Sequence, residues 1–173
     1  MDDAVKKART RAMYLLKARS RTRQELYRRL KEKGFQDPEI EQAIAYVESY
    51  GYIDDYKYAQ NYILYRIQEK SRQKILMELH QKGVSRETAE RAWEEIIQIQ
   101  APCESELIRK LVQKKCGQQR ELSEKEYRRL YGFLIRRGFQ FEDIRQVFEE
   151  EKIHMSIIRL TIREVRAKND IRH

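Results

Sequence analysis

One pattern of apolar and polar positions returns three times along the chain. An apolar residue is followed four positions later by Leu, four positions after that by Gly, and then at once by a second apolar residue. The copies are Leu26–Phe35, Ile75–Val84 and Leu130–Phe139, and their glycines lie 49 and 55 residues apart. A repeat at this distance indicates an array of similar structural units.

Each copy predicts the end of a helix. Residues four positions apart, such as Leu26 and Leu30, share one helix face, and Gly34 falls where a helix terminates with positive φ. The corresponding residues in the other copies are Leu79, Gly83, Leu134 and Gly138. We therefore predict that these residues form the core and the caps of the helices and contact no partner.

Apolar residues at helical spacing also precede each copy and follow each glycine, so every unit should contain three short helices. A unit of about 45 residues buries little core by itself, which favours stacking of neighbours. The predicted fold is all-α: an elongated, curved array of three tandem three-helix repeats with a C-terminal helical extension. The predicted boundaries are 1–53, 54–100, 101–151 and 152–173. In the last segment Ile158, Ile162 and Val165 form an apolar stripe with a basic flank, which predicts an amphipathic helix.

Composition adds a charge argument. The 173 residues carry a formal charge of +9 and 38% are charged. Residues 1–34 hold 12 Lys/Arg against 4 Asp/Glu, a net of +8, and residues 152–173 hold 6 against 2, a net of +4. Residues 35–69 hold 2 against 7, a net of −5. A basic chain of this kind favours a polyanionic partner such as nucleic acid.

The basic residues of the three units are therefore the candidate partner and DNA contacts. On charge grounds alone, partner contact and simple solvation of helix faces are about equally supported. The candidates are Arg19, Arg21, Arg23, Arg28, Arg29, Lys31, Lys70, Arg72, Lys74, Arg128, Arg129, Arg136 and Arg137.

No catalytic or metal-binding pattern is present. Asp54 and Asp55 are adjacent, stand where a helix should begin, and are predicted to be structural caps rather than a catalytic pair. The three His residues are scattered, and neither a C-x-x-C spacing nor a P-loop occurs. We expect a protein that is not an enzyme and that holds no cofactor or metal.

The expected location is the cytoplasm. The first residues show no apolar stretch behind a basic leader, and no apolar run approaches the length of a membrane span. Cys103 and Cys116, the only cysteines, are then expected to remain reduced thiols.

Nine of the eleven tyrosines fall within the first 65 residues, most of them around the joint between the first two units. Tyrosines interleaved with Arg and Lys could stack on the bases of a single strand. The surrounding segment is acidic, however, so packing at the joint is the favoured interpretation.

The sequence also resembles a known family. Gly51–Asp55 followed by Tyr58–Ala59 looks like the G-Y-[LI]-[DN]-D-x-x-[FY]-A signature of the RecX family. Ser20–Leu26 with Lys33–Phe35, Glu78–Val84 and Phe133–Phe139 resemble its first, second and third repeats. The resemblance spans about residues 12–151. Relative to the family, the third repeat carries about six extra residues around Gly117–Leu122.

This resemblance implies a regulator of RecA, usually an inhibitor, that binds along the groove of the RecA–DNA filament. Such proteins restrain filament growth, ATP hydrolysis, strand exchange and coprotease activity. The implied partner is the RecA nucleoprotein filament, with weak contacts to single- and double-stranded DNA, no membrane partner, and a monomeric state. Two alternatives remain: a DNA-binding protein that acts without RecA, and a protein that grips another acidic protein.

Overall fold

The computed structural model describes residues 3–99 and 103–156, and this part of the chain is almost entirely helical. It contains nine α-helices and two short β-strands. In chain order these are α1 Asp3–Ala18, α2 Arg23–Lys31, α3 Asp37–Ser49, α4 Asp55–Arg66, α5 Arg72–Gln81, α6 Arg86–Ile99, α7 Glu104–Cys116, β1 Glu121–Leu122, α8 Glu124–Arg136, α9 Phe141–Glu150 and β2 His154–Met155.

The helices form three successive groups of three, which confirms the predicted all-α repeat fold. In each group the middle helix ends at the predicted glycine: φ is 87° at Gly34, 89° at Gly83 and 89° at Gly138. The residue after each glycine donates its N–H back to the carbonyl of the Leu four residues before that glycine, as Val84 does to Leu79 at 3.1 Å. A left-handed residue allows this helix-terminating bond, and glycine adopts it without a Cβ penalty.

The predicted core residues are buried. Leu26, Leu30, Leu79 and Leu134 are all fully inaccessible to solvent. In the first repeat α1 packs mainly against α3, and in the second α4 packs in the same way against α6. Each of these two repeats has its own cluster of buried apolar side chains.

The chain divides into two compact units, Met1–Leu107 and Ile108–His173. Inside the first unit the contact between repeats recurs with the same 49-residue spacing as the glycines. The N–H of Arg23, which begins α2, donates to the Asp55 carboxylate at 2.9 Å. The N–H of Arg72, which begins α5, donates to the Glu104 carboxylate at 3.0 Å. The 49-residue repeat of the sequence is therefore matched by these two equivalent hydrogen bonds.

The structure corrects one half of the predicted cap pair. Asp54 is the N-cap of α4, and its side chain accepts the N–H of Lys57 at 2.9 Å, as predicted. Asp55 instead accepts the N–H of Arg23 and so joins the first two repeats. Burial raises the pKa of Asp55, and the bond from Arg23 partly offsets that rise.

The third repeat contains a feature that the sequence did not predict. β1 lies within the extra residues and pairs in parallel with β2, Glu121 opposite His154 and Leu122 opposite Met155. The N–H of His154 donates to the carbonyl of Arg120 at 3.0 Å. The segment predicted as a helical extension thus begins with a strand. The predicted stripe of Ile158, Ile162 and Val165 lies outside the described residues.

Neither a membrane span nor a metal cluster occurs among the described residues. None of the helices in 3–99 and 103–156 is both long enough and apolar enough to cross a membrane. Within the same residues, no three His, Cys, Asp or Glu side chains are grouped so that they could hold a metal ion.

Candidate partner-binding surface

The thirteen candidate cations fall into two groups, according to whether a carboxylate of the described chain lies within 4.0 Å. Those with such a partner are Arg23, Arg28, Arg29, Lys31, Lys70, Arg72 and Arg128. Those without one in the described part of the chain are Arg19, Arg21, Lys74, Arg129, Arg136 and Arg137. A cation without a carboxylate partner has no ion pair to break on binding, so the stronger candidates lie in this second group.

The basic helix α2, which the sequence favoured most, is largely neutralised by its own neighbours. Arg28 and Arg29 share the Glu32 carboxylate at 3.9 and 3.1 Å. Arg23 pairs with Glu41 at 2.5 Å and with Glu48. Exposed ion pairs of this kind are worth about 0–1 kcal/mol, so a partner could replace them. Their positive field is nevertheless weaker than the sequence alone suggests.

Lys70 belongs to an internal network in the second repeat. Its amino group lies 2.6 and 2.7 Å from the two carboxylate oxygens of Glu78, and both side chains are less than a fifth exposed. The Tyr62 hydroxyl donates to the same carboxylate at 2.7 Å. Burial and this bond raise the pKa of Tyr62 to about 12. Burial opposes ionisation of Glu78, but the bonds from Lys70 and Tyr62 outweigh it and hold the pKa of Glu78 below its usual value.

Replacing Glu78 with Gln is expected to lower the free energy of unfolding by about 1–3 kcal/mol at pH 7, because the Lys70 ammonium loses a charged acceptor. The pKa of Glu78 is lower in the folded chain than in the unfolded chain. The stability that Glu78 supplies is therefore complete above the unfolded pKa of about 4.3 and is lost as the pH falls through the folded value. Urea unfolding should therefore show a wild-type advantage that shrinks below about pH 4.

The matched control is Glu94→Gln on α6, an exposed carboxylate with no ion pair in the described residues. It should change the unfolding free energy by less than about 0.5 kcal/mol. An equal loss in the two variants would mean that the network contributes nothing specific.

Two of the other candidates in the first unit, Arg72 and Arg21, are also engaged. Arg72 pairs with Glu90 and lies over the Trp93 ring. The Nε of Arg21 donates to the carbonyl of Leu15 at 3.3 Å, and burial, followed by the neighbouring arginines, lowers the pKa of Arg21. Lys74 is half-buried and Arg19 is exposed in the α1–α2 loop.

In the third repeat the unpaired cations cluster around one cavity. Arg129 and Arg136 stand seven residues apart on α8, and Phe133 lies between them on the same face. The cavity has a volume of about 340 Å³. Its lining is Lys115, Cys116, Gln119, Leu122, Glu126, Arg129, Leu130, Phe133 and Arg136. Arg137 lies beside it, with its guanidinium carbon 3.7 Å from the centre of the Phe133 ring.

The only carboxylate in that lining is already occupied. Glu126 accepts both the N–H and the hydroxyl of Ser123, at 3.0 and 2.6 Å, in the capping box that begins α8. These hydrogen bonds lower the pKa of Glu126. Glu126 therefore stays charged and fixed at the edge of the cavity, and no ion pair joins it to Arg129 or Arg136 among residues 103–156.

Sequence reasoning missed Lys115 and Phe133. The available signal was an aromatic residue between two arginines at spacings of four and three along α8. Lys115 could not be found, because its approach to Phe133, 4.9 Å from ammonium to ring centre, depends on how α7 meets α8.

The tyrosines of the first joint divide between packing and exposure. Tyr46 packs against the core of the first repeat and Tyr62 against the core of the second. Tyr50, Tyr52 and Tyr65 instead remain 62%, 52% and 72% exposed. Packing therefore explains only part of this cluster.

Comparison with known proteins identifies the repeats. Residues 8–46, 54–92 and 103–148 match the first, second and third three-helix domains of RecX. "Regulatory protein RecX" of Prosthecochloris aestuarii is 33% identical over 151 residues, which cover 86% of this chain and 96% of that protein. Its counterpart in Clostridium botulinum is 30% identical over 151 residues, covering 86% and 70%.

A solved structure has the same fold. The crystal structure of RecX from Lactobacillus salivarius superposes with a TM-score of 0.66 and 21% identity, over 89% of this chain and all of that one. The three domain matches together span most of the chain, in the order in which the structure places its three helical groups. The chain therefore belongs to the RecX family.

Proposed function

We propose that this protein inhibits RecA by binding in the groove of the RecA–DNA filament, where it restrains filament growth, ATP hydrolysis, strand exchange and coprotease activity. Membership of a family named for regulation supports a regulatory role. The expected absence of enzymatic activity, the cytoplasmic location and the monomeric state belong to the same proposal.

The proposal rests on the division of the candidate cations into those with and those without a nearby carboxylate. Charges already paired inside the chain contribute little net field, whereas Arg129, Arg136 and Arg137 have no carboxylate within 4.0 Å in the described part of the chain. Arg129 and Arg136 lie seven residues apart on α8 and line one open cavity, and Arg137 lies beside it. Several repeats that each make a weak contact with successive subunits of a filament would bind together through effective concentration.

The rival function is binding to bare DNA without RecA, and the net charge of +9 favours it. Such binding is dominated by phosphate contacts, so the logarithm of the affinity falls with the logarithm of the salt concentration by about 0.9 for each contact. A surface on which seven of thirteen cations already pair with carboxylates is a poor phosphate track.

The test compares two targets at two salt concentrations. Fluorescently labelled protein is titrated with RecA filaments on single-stranded DNA and with the same DNA alone, at 50 and 200 mM salt. We expect filament binding to survive at 200 mM salt. The affinity for bare DNA should fall by roughly 10³-fold or more between the two salt concentrations if six or more phosphates are contacted. Equal affinity for the two targets at both salt concentrations would favour the rival.

A further inference from the structure

The cavity of the third repeat has the features of a binding site for one apolar side chain of a ligand that also carries charged groups nearby. Its floor is formed by Leu122 and Leu130, which are 2% and 4% exposed, and Phe133 forms part of the wall. Its volume of about 340 Å³ lies at the lower end of the range for ligand sites, roughly 300–1,000 Å³. A recess of this size suits one apolar side chain rather than an extended apolar surface.

The rim of the cavity is positive. Lys115, Arg129 and Arg136 line it, and none has a carboxylate partner within 4.0 Å among residues 103–156. The guanidinium of Arg136 lies close to the α8 backbone at Gly132. A Cβ added to Gly132 would come within 3.2 Å of it. Arg clusters of this kind recognise acidic motifs.

Two features favour a peptide over a nucleic acid. Lys115 and Arg137 already contact the Phe133 ring, at 4.9 and 3.7 Å from its centre, so the ring is not a free platform for base stacking. The fixed Glu126 carboxylate at the same rim would repel a continuous phosphate backbone, whereas the carboxylates of a peptide can be spaced to avoid it.

We propose that this cavity binds an acidic peptide segment of the partner protein, with one apolar side chain of the segment inserted over Leu122 and Leu130 and flanking carboxylates paired with Arg129, Arg136 and Lys115. The inference rests on the proposed function for the identity of the partner, since the acidic segment would lie on RecA. It adds a specific anchor to what would otherwise be a general charge attraction.

Cys116 provides a direct reporter, because it lines the cavity and is a free thiol. The full chain is made as Cys103→Ser, which removes the exposed second thiol, and the rate of Cys116 alkylation by iodoacetamide is measured. Burial raises the pKa of the Cys116 thiol, so the reaction is run at alkaline pH. The probes are an Asp/Glu-rich octapeptide with one central Phe, the same peptide with Ala in place of Phe, and an oligo(dT) strand.

We expect the Phe peptide to slow alkylation of Cys116 at least fivefold at saturation, and the Ala peptide to bind roughly tenfold more weakly. Phe133→Ala and Arg129→Glu should each weaken protection by a similar factor, and Arg129→Glu keeps the floor of the cavity intact if Phe133→Ala disturbs folding. Arg145→Glu, an exposed cation of α9 outside the cavity, should leave protection unchanged.

Two results would overturn the inference. The first is no protection by the acidic Phe peptide, and the second is protection by oligo(dT) as strong as that by the peptide, which would assign the cavity to nucleic acid. The peptide assay contains no RecA. If the cavity binds no peptide but the protein still inhibits RecA, the peptide site is refuted and the proposed function is not.

Discussion

Arg129→Glu combined with Arg136→Glu is expected to raise the protein concentration needed for half-inhibition of RecA ATPase by roughly tenfold or more. Breaking one hydrogen-bonded charge pair at a partner surface costs about 1–3 kcal/mol, and charge reversal adds repulsion to that cost. Both side chains are exposed and lack carboxylate partners in the described residues, so the fold should persist. Far-ultraviolet circular dichroism checks the fold, and ATP hydrolysis on single-stranded DNA checks the effect.

The matched control is Lys114→Glu combined with Arg145→Glu, which changes the net charge by the same amount. Both residues are exposed, lie in the same unit, and do not line the cavity. If the two double variants lost inhibition equally, net charge rather than the α8 surface would account for binding.

Arg28→Glu combined with Arg29→Glu tests the helix that the sequence favoured. Because Glu32 already neutralises part of this pair, we expect a smaller loss of inhibition than at α8. A larger loss than at α8 would restore the first repeat as the main contact.

Gly83→Ala is expected to have the largest effect on stability, about 2–5 kcal/mol. Two costs combine at this position. The backbone has φ of 89°, which costs a side-chain-bearing residue about 1–2 kcal/mol. In addition, a Cβ would come within 2.3 Å of the Gln24 Cβ, which cannot move away without its helix, so α2 must shift against the second repeat.

Gly34→Ala separates these two costs. Its φ of 87° is nearly the same, but nothing lies within 4 Å of the added Cβ. Urea unfolding should show a loss of only about 1–2 kcal/mol for Gly34→Ala. Losses of the same size at Gly34 and Gly83 would mean that the close approach of α2 to the second repeat does not constrain the structure.

The parts of the fold that follow from local rules could be predicted from the sequence. The terminating glycines, the Asp54 cap and the buried Leu79 each depend on a few neighbouring residues. The β1–β2 pair could not be predicted, because two-residue strands carry no periodic pattern and their partners lie more than thirty residues apart.

The candidate surface was predictable only as a list of charges. Which charges remain available depends on tertiary proximity, as when Arg23 meets Glu41 and Glu48 from another helix. Lys70 is likewise paired with Glu78, and both side chains are less than a fifth exposed. The sequence identifies the basic residues, and packing determines which of them lack a carboxylate partner in the described part of the chain.

The most direct test of RecA inhibition through the α8 surface is a titration of the wild-type protein into RecA hydrolysing ATP on single-stranded DNA. We predict a dose-dependent fall in hydrolysis that persists at 200 mM salt. The double variant Arg129→Glu with Arg136→Glu should need a higher protein concentration to produce the same fall. Hydrolysis that stays constant while the labelled protein is demonstrably bound to the filament would contradict this prediction.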